Sequence, residues 1–112
     1  MIRNTETVAY DYVEAFFEWK GQSFEVTGGV VHNAIIEDEG IGSYEFQGMR
    51  GDDKRLVARC EYEKAEFNNI SVYWQGDDQP LNYVEVELLE EAKLALFNKT
   101  YERAEEEVME AV

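Results

Sequence analysis

The sequence predicts an α+β domain: an antiparallel sheet of five to six strands with one long C-terminal helix packed on it. Three observations predict this. Short runs of alternating apolar and polar residues fill most of the chain, glycines punctuate those runs, and after Pro80 the apolar period lengthens to that of a helix. At 112 residues, with seven Tyr, six Phe and two Trp, the chain has one domain's length and enough apolar mass for one core. It reads as a single domain over 1–112, with no linker, internal repeat or low-complexity segment.

The elements follow in order. Val13, Ala15, Phe17 and Trp19 share one face of a first strand. Lys20-Gly21-Gln22 turns the chain, and Ser23 to Thr27 returns with Phe24 and Val26 on one face and Glu25 on the other. A helix competes for this region. Val8, Ala9, Tyr12, Val13, Phe16 and Phe17 also make a helical stripe, which Thr5 could cap and Gly21 could end. The density of Val, Tyr, Phe and Trp favours the strand without excluding the helix. Gly28-Gly29 marks a bulge or bend, and Val30 to Ile36 is a third strand. Glu37 to Gly42 is a loop, Tyr44 to Gln47 a fourth strand, and Gly51-Asp52-Asp53 a turn. Leu56 to Glu63 is a fifth strand, with Leu56, Ala58, Cys60 and Tyr62 inward. Ile70 to Trp74 is a sixth, burying Ile70, Val72 and Trp74, before Gln75 to Pro80 breaks the sheet.

The helix is expected from about Tyr83, or a few residues later, to near Ala111. Asn82 and Glu85 have the spacing of a capping box, and Leu81 and Val86 are placed as a hydrophobic staple. Val86, Leu89, Leu96, Phe97, Thr100, Ala104 and Val108 form the expected apolar stripe. The opposite face carries Glu87, Glu91, Glu102, Glu105 and Glu106, and Glu110 extends it. Glu105, Glu106, Glu107 and Glu110 crowd the helix C-terminus, where the helix dipole favours cations. A break in a local rule of this kind is a pointer to function, although a solvated helix end tolerates it.

Charge dominates the composition. There are 25 acidic residues against 10 basic ones, for a net charge of −15. Such a surface repels DNA, RNA and anionic membranes and attracts cationic partners, among them proteins that themselves bind nucleic acid. Acidity that serves only solubility is the simpler alternative. One cysteine allows no internal disulfide framework and fits a reducing compartment. The N-terminal residues lack the apolar core of a signal peptide, and no apolar run is long enough to span a bilayer, so the expected location is the cytoplasm.

The chemistry-bearing residues form no familiar site. His32 is the only histidine and alternates with Val30, Ala34 and Ile36, as a packed strand residue would. Cys60 alternates with Leu56, Ala58 and Tyr62 and reads as a small buried hydrophobe. Glu37-Asp38-Glu39 are consecutive, unlike the alternating carboxylates of a calcium loop. Gly51-Asp52-Asp53 and Gly76-Asp77-Asp78 are turn sequences. No cofactor, metal or catalytic residue is expected.

One stretch carries a resemblance. Ala65-Glu66-Phe67-Asn68-Asn69-Ile70-Ser71-Val72-Tyr73, a Gly-Asp-Asp turn and an acidic C-terminal helix resemble small bacteriophage proteins of unknown function built from an antiparallel sheet and one C-terminal helix. The early hairpin Phe17-Glu18-Trp19-Lys20-Gly21-Gln22-Ser23-Phe24-Glu25-Val26 fits the same pattern. The resemblance implies an accessory role, such as inhibition of host defence by an acidic, DNA-mimicking protein of the anti-restriction or anti-CRISPR kind, in the host cytoplasm. The resulting expectation is a non-enzymatic binding protein for a basic or nucleic-acid-binding partner, with Glu87, Glu91, Glu102, Glu105, Glu106 and Glu110 as the partner-binding face. The alternative is a structural or assembly subunit, a homodimer included, that buries an exposed sheet edge.

Overall fold

A computed structural model describes residues 3–38 and 56–111. The architecture is α+β. Two long strands, β1 (Arg3–Trp19) and β2 (Gln22–Asp38), form an antiparallel hairpin. Two shorter strands, β3 (Leu56–Arg59) and β4 (Glu66–Trp74), both pair antiparallel with β2, and the helix α1 (Val86–Ala111) closes the described chain. β2 is therefore central, with β1 along one side and β3 and β4 end to end along the other.

The described residues hold four strands, not five or six, and the reasons are local. Ser23 to Thr27 and Val30 to Ile36 are one strand, because Gly28-Gly29 does not interrupt β2. The irregularities lie in its neighbours. The β1–β2 register shifts between Tyr10 and Val13, and the β2–β4 register shifts opposite Gly28. The glycines make room for these bulges. A Cβ on Gly28 would meet the Asn68 carbonyl oxygen at 3.1 Å and Ile70 Cδ1 at 3.1 Å, and one on Gly29 would collide with Asn68 Oδ1. The expected strand at Tyr44 to Gln47 lies outside the described residues.

The ambiguity at residues 6–20 resolves as strand. Thr5 caps nothing and Gly21 ends no helix. Instead Lys20 and Gly21 take φ of 52° and 76°, the two positive values that a tight hairpin turn needs. The β1 bulge also shifts the alternation by one residue. Val8 and Tyr10 before it, and Val13, Ala15, Phe17 and Trp19 after it, pack into the core on the helix side.

The run Leu56 to Glu63 is strand only as far as Arg59. The chain then leaves the sheet, makes a short 3₁₀ turn at Tyr62–Lys64 and rejoins β2 at Glu66, earlier than the expected Ile70. Asn33 of β2 bridges the gap, its Nδ2 donating to the Lys64 carbonyl at 2.8 Å. Trp74 is 43% exposed rather than buried. It ends an edge strand, where only one ring face is covered, stacked on Phe24 at 4.8 Å between ring centres.

The expected helix stripe is corrected at its start. Val86 is 75% exposed and Leu89 only half-buried. The buried residues are Leu88, Ala92, Leu96, Thr100, Ala104 and Val108, one every fourth position, with Phe97 beside them. A four-residue row is inclined to the helix axis, so its contact line winds around α1 as the helix crosses the twisted sheet. A stripe drawn straight down the helix therefore picks the wrong residues at one end. Neither the capping box nor the staple forms: α1 begins at Val86, and the Leu89 amide bonds the Glu85 carbonyl at 2.9 Å.

Candidate functional site

The six candidate glutamates fall into two groups along α1. Glu87 and Glu91 are exposed near its start, and Glu102, Glu106 and Glu110 are exposed near its end. Between them Leu94, Ala95 and Asn98 carry no charge, and Ala95 packs against the core. The helix itself thus presents two separate acidic patches.

Glu105 differs from its neighbours. It is half-buried, and its Oε2 accepts a hydrogen bond from the Cys60 backbone amide at 2.9 Å, tying α1 to the segment just after β3. Two acids absent from the expected face do similar work. Glu107 Oε2 accepts from the Tyr10 hydroxyl at 2.7 Å and pairs with Arg103 at 3.2 Å, while the Arg103 guanidinium lies 5.6 Å from the centre of the Tyr10 ring. Glu90 accepts from the Tyr62 hydroxyl at 3.2 Å and pairs with Lys93 at 3.7 Å. The unusual acids at the helix C-terminus are thus partly structural. Their phenolic partners lie far away in sequence, so no local pattern announces them.

The second patch borders a hollow. Glu102, Glu105, Glu106 and Glu110, with Met109, face Val57 and Ala58 of β3 around a depression of about 520 Å³. Its lining combines apolar side chains with carboxylates. That combination suits a side chain with an aliphatic stem and a cationic tip, a lysine or an arginine.

Buried titratable groups report the same packing. Burial, and then the hydrogen bond to Glu107, push the Tyr10 phenol up to about 12. Tyr62 is pushed up to about 12 by burial and the nearby Glu90 carboxylate, and Cys60 up to about 11 by burial and Glu105. A thiol held protonated is a poor nucleophile. His32 is fully buried, and burial lowers its pKa. Its Nε2 lies 2.6 Å from Thr100 Oγ1, and Thr100 donates in turn to the Leu96 carbonyl at 3.1 Å. Nε2 is then the protonated nitrogen and Nδ1 a bare lone pair, with no hydrogen-bond partner. His32 is thus engaged with the helix and not with Cys60.

Gly76-Asp77-Asp78 is the turn that follows β4: the Asp77 amide bonds the Trp74 carbonyl at 3.0 Å, and Asp77 Oδ1 accepts from the Gln79 amide at 3.1 Å. Gly51-Asp52-Asp53 lies outside the described residues. Among the described residues, no group of three or more His, Cys, Asp or Glu is arranged to hold a metal ion, and no helix is long and apolar enough to cross a membrane. Compared with protein-family models, with curated proteins and with solved structures, the chain matches none.

Proposed function

We propose that this chain is a non-enzymatic acidic binding protein that docks on a basic, nucleic-acid-binding protein and competes with its nucleic acid. The observation that carries this reading is the hollow between α1 and β3, which four glutamates line together with Val57, Ala58 and Met109. The net charge of −15 adds long-range attraction for a cationic partner and speeds encounter. The carboxylates do not copy the regular phosphate track of a duplex, since the two helical patches are separated. Mimicry here lies in charge and in one lysine- or arginine-sized hollow. In a phage setting, as the sequence resemblance implies, the partner is a host defence protein.

Immobilised protein tests the reading by capturing partners from lysate, with bound proteins then identified. Capture is expected to weaken at least about tenfold between low and physiological salt, and duplex DNA is expected to release the partner. Changing Glu102, Glu106 and Glu110 together to Lys is expected to abolish it. Glu105 is left intact in that variant because it holds the fold. Full capture at high salt, indifferent to duplex DNA, would count against the proposal.

A further inference from the structure

Among the described residues β1 pairs only with β2, which leaves its other side a bare edge. Along such an edge every second amide and carbonyl points away from the sheet. Between Val13 and Trp19 the edge is regular, since the one shift in the β1–β2 ladder lies before Val13. The edge strand on the far side, β4, is kinked by its own register shift and by Asn69 at φ 52°. Beside the regular stretch of β1 runs a groove of about 420 Å³, shared with α1 and lined in part by Ala15, Phe17, Leu94 and Ala95, with one acid, Glu91, and one base, Lys99, also in its wall. Phe16 and Leu94 are 60% and 37% exposed. Glu14 and Glu18 stand exposed on the opposite face of the same strand.

We propose that the Val13–Trp19 edge of β1 receives an extended basic segment of the partner as an added strand. Alternate apolar side chains of that segment enter the groove beside α1, and its lysines or arginines lie next to Glu14 and Glu18. This rests on the reading above that the partner is cationic, and it adds the mode of recognition. An added strand supplies backbone hydrogen bonds for affinity, while its alternating side chains supply selectivity. Charge decides the occupant. Antiparallel pairing with a second copy, centred on Phe16, would set Glu14 of each chain against Glu18 of the other and join two bodies of charge −15. Like charges directly opposite destabilise a pair of strands, and a cationic strand turns the same positions into attraction.

A peptide of about eight residues alternating Lys and Val spans this edge at ~3.3 Å per residue. It is compared with the same peptide N-methylated at alternate amides and with oligolysine of equal charge. The alternating peptide is expected to shift the amide resonances of residues 13–19. Its affinity is expected to fall about tenfold on N-methylation, and about tenfold in the double variant Glu14→Lys, Glu18→Lys. Leu94→Glu, a second variant at an exposed position, is expected to weaken it too, with circular dichroism unchanged. Equal binding of all three peptides, with shifts confined to the carboxylates of α1, would overturn strand addition and leave the anionic reading standing. No binding of any basic peptide at low salt would sink both. A dimer with protected 13–19 amides before any peptide is added would make a second copy the occupant and overturn the proposal.

Discussion

Leu88, Ala92 and Leu96 lie on a floor of Val13, Ala15, Phe24, Val26, Val30 and Val72, with Phe17, Trp19 and Phe67 around it. In the far half of the same helix Thr100 meets His32, Val108 packs with Ala34, Ile36 and Ala58, and Ala104 is buried between them in sequence. The first half is held by apolar area. The second has smaller side chains and makes up the difference with directional contacts: His32 to Thr100, Tyr10 to Glu107 and Cys60 to Glu105. The comparison teaches that some of the acidity serves the fold. Where hydrophobic mass thins out, carboxylates on the helix act as acceptors for groups on the sheet side.

The largest effect is expected from removing mass at the apolar half. Leu96→Ala, at a fully buried position, is expected to cost about 3 kcal/mol in urea denaturation, whereas Val108→Ala at the other half costs about 2. Equal costs would erase the contrast between the halves.

Next comes acid. His32 has a folded pKa below its usual 6.5 because burial disfavours the charged ring. Above 6.5 the ring is neutral in both states and takes nothing from stability. Between 6.5 and the lower folded value only the unfolded chain binds the proton, so stability falls as pH falls, by at most ~1.4 kcal/mol per pH unit. His32→Gln is expected to remove this share of the slope between pH 7 and 5, measured as wild type minus variant. An unchanged slope would remove His32 as the acid-sensitive tie.

The smallest effect concerns Cys60. With its thiol pushed up to about 11, by burial first and Glu105 second, modification by a disulfide reagent at pH 8 is expected to be slower than for a free thiol. Glu105→Gln is expected to speed it severalfold while weakening the helix-to-sheet tie by about 1 kcal/mol. No change in rate would mean that burial alone shields the sulfur.

The α+β class and the C-terminal helix are legible because each rests on short-range periodicity and turn chemistry, whereas the first arm of the hairpin through Gly21 carries both a strand and a helix pattern and only the fold decides between them. The acidic ties are not legible. Glu105 and Glu107 look in sequence like part of a solvated run, and only the packing of α1 over the segments bearing Cys60 and Tyr10 gives them partners. Gly28-Gly29 suggests a bulge or bend in its own strand, whereas the bulges it accommodates belong to the neighbours. The alternation that marks a strand begins only at Ile70, whereas β4 begins at Glu66, because Asn69 at positive φ sits in a bulge that breaks the alternation. Val86 was misplaced because a period fixes spacing along a helix but not how its contact line winds.

The two-residue turn at Lys20-Gly21 has a kinetic consequence. Its positive dihedrals fix the register of the ribbon at the end where Phe17 and Phe24 stack at 5.6 Å, so cross-strand zippering from that point closes the shortest loops first. Propagation then meets Asp11 and Tyr12, where one extra residue must be slipped in before Tyr10 can find Val30. That extra residue divides the ribbon into two regular ladders, Val13–Trp19 beside the turn and Arg3–Tyr10 beyond it, so the register set by the turn reaches the outer ladder only through the bulge.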